Sequence, residues 1–74
     1  MKDFSKLKPR AVEAELRDVI LKSLGDKVEN RSNVFASHGY YTVALNFPDK
    51  TFVSFENFRK QDAGRIAKAI KALK

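Results

Sequence analysis

The stretch "YYTVALNFPDKTFVSFEN" alternates with a period of two on both sides of a turn signal. On the first run Tyr41, Val43, Leu45 and Phe47 share one face, and Tyr40, Thr42, Ala44 and Asn46 share the other. On the second run Val53 and Phe55 oppose Phe52, Ser54 and Glu56. Pro48 presets the first central position of a turn, so the segment predicts a β-hairpin with one apolar face. An isolated hairpin is marginal in water, so the rest of the chain must cover that face. With residues 48–50 as the loop, Leu45 opposes Val53 and Val43 opposes Phe55. The other face then pairs Asn46 with Phe52, Ala44 with Ser54 and Thr42 with Glu56, and it is expected to meet solvent. Lys50 falls where a three-residue loop favours Gly or Asn, which leaves this register open.

Two flanking segments can supply the cover. In "PRAVEAELRDVILKSLG", Val12, Leu16, Val19, Ile20 and Leu24 recur at helical spacing. Pro9 suits the first turn, and Gly25 can take the left-handed conformation that ends a helix. Glu13–Arg17 and Asp18–Lys22 are i,i+4 pairs for its outer face. In "NFRKQDAGRIAKAIKALK", Asn57 is the expected N-cap and Ala63, Ile66, Ala67, Ile70 and Leu73 the buried stripe. Gly64 costs about 1 kcal/mol relative to Ala in such a helix. Between helix and hairpin, "DKVENRSNVFASHG" suggests a short edge strand through Val28, Val34 and Phe35, with "NRSN" readable as a turn.

The expected architecture is a small α+β domain in the order α-β-β-β-α. Two helices cover an antiparallel hairpin or a three-stranded sheet. Residues 1–8 read as a basic N-terminal arm and 9–74 as a single domain. Seventy-four residues bury only a small core, and the absence of cysteine removes any disulfide or thiolate staple. No secretory h-region or membrane-length apolar run is present, so a cytoplasmic protein is expected.

Charge is distributed unevenly along the chain. The net charge is +6. Residues 1–10 carry Lys2, Lys6, Lys8 and Arg10 against Asp3, net +3. Residues 57–74 carry Arg59, Lys60, Arg65, Lys68, Lys71 and Lys74 against Asp62, net +5. The middle is mildly acidic. Basic ends point to a polyanionic partner, bound with release of counterions. Lys71 and Lys74 sit where a helix dipole already favours cations, whereas Lys60, Arg65 and Lys68 around Gly64 lack that explanation. On one continuous helix, Lys60, Gly64, Lys68 and Lys71 would fall on a line. Tyr40 and Phe52 lie on the less apolar sheet face, with Phe58 opposite Tyr40 if pairing extends. These rings either stack nucleobases, or pack against Phe4 and Leu7 of the arm or fill a dimer contact, and the small core favours the latter pair.

Catalytic chemistry lacks a candidate constellation. His38 is the one histidine, and Ser37 beside it on a strand points to the opposite face. Carboxylates are scattered, no metal-ligand spacing occurs, and no phosphate-cradling Gly-rich loop appears. The expectation is a binding protein without cofactor or metal. It contacts RNA or DNA phosphates through the C-terminal helix and the N-terminal arm, with Lys6, Lys8, Tyr40, Phe52, Arg59, Lys60, Arg65, Lys68 and Lys71 as candidate residues. The alternative is a protein-interaction module or small inhibitor, of the kind phages encode, docking on an acidic protein. A homodimer is a further candidate assembly.

Two stretches resemble the double-stranded RNA-binding domain, which shares the α-β-β-β-α order. "HGYYTVALNFPDKTF" is similar to that family's loop histidine, following strand and short turn, and "RKQDAGRIAKAI" to its basic helix start. The resemblance implies a phosphate contact for Lys60, a minor-groove position for His38 and packing roles for Ala63 and Ala67. The sequence departs from the pattern at Gln61 and Gly64, with Arg65 one place later.

Overall fold

A computed structural model describes residues 3–73; Met1, Lys2 and Lys74 lie outside the described residues, and with them the dipole role expected of Lys74. The elements are α1 (Pro9–Ser23), β1 (Asn33–Ser37), β2 (Tyr40–Asn46), β3 (Phe52–Phe58) and α2 (Ala63–Lys71). The sheet is antiparallel in the order β1-β2-β3, and the two helices cover one face. This is the α-β-β-β-α order that the periodicities predict. No helix among the described residues is long and apolar enough to cross a membrane.

Each helix buries its predicted stripe. Val12, Leu16, Ile20 and Leu24 meet Val34, Tyr41, Val43 and Leu45 of the sheet, and Ala63, Ile66, Ala67 and Ile70 of α2 complete the core. A fully buried side chain such as Leu16 or Ile70 contributes about 1.5–3 kcal/mol. Gly25 follows the α1 C-cap with φ +43, the left-handed geometry that releases the chain from the helix. Both expected helix pairs form, Arg17 to Glu13 at 3.4 Å and Lys22 to Asp18 at 3.0 Å. Arg17 also donates to the Val34 carbonyl at 2.6 Å, which ties α1 to the exposed edge of the sheet.

The third strand is β1, shorter than the apolar residues suggested. Val28 lies outside it, and Asn30–Arg31 form a turn. Ser37 pairs with Tyr40 across His38 and Gly39, whose φ values are both positive (53° and 81°). That is a two-residue hairpin turn of the mirror-image type, whose twist matches the strands. His, like Asn and Asp, enters the left-handed region more readily than most side chains.

The 48–50 loop is confirmed, with Leu45 opposite Val53, Val43 opposite Phe55 and Asn46 opposite Phe52. Lys50 donates its amide to the Phe47 carbonyl at 3.1 Å and adopts φ +73, the position where Gly or Asn is favoured. The Asp49 carboxylate accepts from the Thr51 amide at 3.0 Å and from its hydroxyl, and both bonds hold its pKa below the ordinary value.

Beyond Phe55 the sheet departs from simple alternation. Tyr41 pairs with Phe58, so Thr42 faces both Glu56 and Asn57 instead of Glu56 alone. Asn57 is the extra residue of a β-bulge, at φ +54. It is therefore not a helix N-cap. The bulge turns Phe58 inward, where it is buried and stacked on Tyr41 with ring centroids 5.9 Å apart. Phe58 consequently does not stand opposite Tyr40. The chain then makes a 3-10 turn at Lys60–Asp62, and α2 begins only at Ala63. Lys60 is off the helix, which breaks the expected Lys60–Gly64–Lys68–Lys71 line.

The described part of residues 1–8 is anchored. Phe4 is buried in the core within a 3-10 turn, Phe4–Lys6.

The Lys50 backbone gives a direct stability test. Lys50→Gly removes left-handed strain at an exposed turn and should stabilise the fold by about 0.5–1 kcal/mol. Thermal unfolding should show the midpoint rising by about 2–6 °C.

Candidate functional site

The bulge and the β1–β2 turn bring several candidate residues to one end of the molecule. An open cleft of about 470 Å³ is lined by Pro9, His38, Gly39, Tyr40, Tyr41, Arg59, Lys60 and Gln61. None of these residues is acidic. His38 and Gly39 come from the hairpin turn, Tyr40 and Tyr41 from the start of β2, and Arg59–Gln61 from the chain leaving β3. Pro9 comes from the first turn of α1.

Arg59 emerges directly after the inward-turned Phe58. Its guanidinium carbon lies 5.5 Å from the Tyr40 ring centroid, and Nη2 donates to the Tyr40 hydroxyl at 3.3 Å. At an exposed site such a cation–π contact is worth about 0.5–1 kcal/mol. It orients the Arg59 stem while the residue remains exposed. Lys60 is half-buried, and its Nζ donates to the Leu7 carbonyl at 3.1 Å. That bond joins the 3-10 turn after β3 to the N-terminal segment. Lys6 and Lys8, both exposed, flank Leu7 in sequence, and neither is among the residues that line the cleft. Arg10, exposed in the first turn of α1, adds a cation that the sequence reading did not select.

The other candidates lie elsewhere. Arg65, Lys68 and Lys71 are exposed on α2. This helix buries its opposite stripe, so they belong to the helical layer and not to the open side of the sheet. Phe52 is 70% exposed at the far end of β3. It pairs with Asn46, six residues along β2 from Tyr40, or roughly 20 Å at strand spacing. Phe4 enters the core and Leu7 packs against it, while Tyr40 and Phe52 stay 40% and 70% exposed. Phe35 is a third exposed ring on that side, and the sequence reading used it only to argue for a strand. Its partner Thr42 was already assigned to the open face, so β1 pairing was the missing information.

Ion pairing divides the cations into two groups. Among the described residues, carboxylates pair with Arg17, Lys22 and Arg31. No such pair involves Arg59, Lys60, Arg65, Lys68 or Lys71. Glu13, Asp18 and Glu29 thus pair with cations of α1 and the loop before β1.

Tyr41 forms the inner wall of the cleft. Burial, with a smaller contribution from the nearby Glu13 carboxylate, pushes its hydroxyl above the ordinary tyrosine pKa. Compared with models of protein families, with curated proteins and with solved structures, the chain returns no match.

The raised Tyr41 pKa predicts an alkaline limit to stability. The neutral phenol is favoured in the folded state, so its contribution is complete below the unfolded pKa of about 10. It is lost as pH rises through the higher folded value. Thermal unfolding from pH 8 to 11 should show the midpoint falling above about pH 10, with a shallower fall in Tyr41→Phe.

Proposed function

We propose that this chain is a small nucleic-acid-binding protein that holds its ligand chiefly by phosphate contacts at the basic rim. The observation that carries this reading is the convergence of Arg59 and Lys60 on a cleft without an acidic lining, with the N-terminal segment that carries Lys6 and Lys8 joined to Lys60 at Leu7. Cations placed this way bind phosphates and release counterions. Arg59 is pre-oriented by Tyr40, so less side-chain freedom is lost when an anion arrives. The resemblance in residues 38–52 and 59–70 supports the same end of the molecule, because His38 and Lys60 both line the cleft. Charge on α2 adds long-range attraction and needs no direct contact.

Fluorescence anisotropy with labelled single strands and duplexes across a salt series tests this. Affinity should fall steeply with salt. The combined Lys6→Ala, Lys8→Ala and Arg59→Ala variant should lower the slope of log K against log salt by about 2–3, roughly one per lost phosphate contact. Lys68→Ala with Lys71→Ala should lower the slope by less than about 1, because these cations make no direct contact. Absence of binding to every nucleic acid at low salt overturns the proposal, and an acidic protein then becomes the better candidate partner.

A further inference from the structure

We infer that the ligand is single-stranded, and that its unpaired bases stack on Phe35, Tyr40 and Phe52 across the open face of the sheet. This rests on the nucleic-acid reading above and narrows it to a substrate class.

The helices leave one face of β1-β2-β3 uncovered. Its strand residues are Asn33, Phe35 and Ser37; Tyr40, Thr42, Ala44 and Asn46; and Phe52, Ser54 and Glu56, by the alternation and register of the strands. Large aromatic rings are the costliest groups for a domain this small to leave out of its core. Phe52 is nevertheless 70% exposed, Phe35 46% and Tyr40 40%. Phe35 pairs with Thr42, two residues from Tyr40 on the same face, so the two rings are diagonal neighbours. Phe52 stands toward the opposite end of the face. A sheet face carrying separated rings offers π-faces to successive bases, and stacking tolerates any base identity.

Charge specifies the occupant. The Tyr40 ring belongs both to this face and to the cleft, where Arg59 lies over it and Lys60 follows. A strand with bases on the rings therefore has cations waiting for its phosphates at the Tyr40 end. Lys50, exposed in the hairpin turn two residues before Phe52, supplies a cation at the other end. Asp49 shares that turn, with its carboxylate already bonded to Thr51. Glu56 is the one carboxylate among the strand residues of the face. An apolar partner would leave the Arg59 end without a counter-charge, and a duplex hides its base faces inside the stack.

Four labelled probes of equal length test the inference: oligothymidylate, oligouridylate, an abasic oligomer and a blunt duplex. The base-bearing single strands should bind at least about 10-fold tighter than the abasic oligomer and tighter than the duplex. Phe52→Ala and Phe35→Ala should each weaken single-strand binding by about 5- to 150-fold, with the salt slope unchanged. Both side chains are exposed, and circular dichroism checks that the variants stay folded. Equal affinity for the abasic oligomer, or tighter duplex binding with the rim salt slope intact, overturns stacking and leaves the nucleic-acid reading standing. Failure to bind any probe overturns both. A solution dimer that Phe52→Ala converts to monomer, with strand affinity unchanged, assigns the face to a second copy and also overturns the inference.

Discussion

One extra residue in β3, Asn57 at φ +54, sets the relation between the core and the surface of this domain. Without it, strict alternation would place Phe58 on the open face and Arg59 on the covered one. The bulge reverses that parity after Glu56. Phe58 enters the core and stacks on Tyr41, while Arg59 swings out over Tyr40. The chain then turns through Lys60–Asp62 into α2, and the amino group of Lys60 meets the Leu7 carbonyl. A single backbone irregularity thus closes the core, starts the second helix and builds the basic rim.

Among the described residues, three non-glycine residues take positive φ: His38, Lys50 and Asn57. Each lies at a sheet turn or bulge, where the strand pairing on either side outweighs the local cost. Two of these irregularities border the cleft. His38 belongs to its lining, and Asn57 precedes Phe58 and Arg59. Lys50 sits at the far end and presents a cation there. The sheet is therefore half-covered, with the cleft at one end and the Asp49–Lys50 turn at the other. In contrast, Arg17 and Lys22 of α1 and Arg31 of the following loop are paired with carboxylates.

Periodicity in the sequence was sufficient for the two helices, the 48–50 loop and the inward set Tyr41, Val43 and Leu45. All three depend on local patterns that the folded chain obeys. The bulge was hidden because "SFENFRK" contains no glycine, and Asn57 suits an N-cap as well as a left-handed strand position. That single ambiguity moved the start of α2, mispaired Phe58 and put Lys60 on the helix. The His38–Gly39 turn was legible in principle, since His-Gly can fill both positive-φ positions, but the reading ended the segment there without pairing it to β2. Lys60 next to Leu7 was beyond reach. It joins residues 53 apart in sequence through a contact that exists only once both segments dock. Basic composition at the two ends gave only the expectation of a polyanion partner. It did not show that Arg59 and Lys60 line one cleft, with the N-terminal segment joined to Lys60 at Leu7, while Lys68 and Lys71 remain on α2.

The dependence of the site on the bulge is open to one direct comparison, Asn57→Gly against Asn57→Val. Glycine accepts the left-handed backbone, whereas a β-branched valine resists it at a cost of about 1–3 kcal/mol. Thermal unfolding would be followed together with the nuclear Overhauser contact between the Tyr40 ring and the Arg59 side chain. Asn57→Gly should keep the contact and most of the stability. Asn57→Val should lower the midpoint and weaken or abolish the contact in the protein that remains folded. An Asn57→Val protein as stable as the parent, with the Tyr40–Arg59 contact intact, would contradict the account.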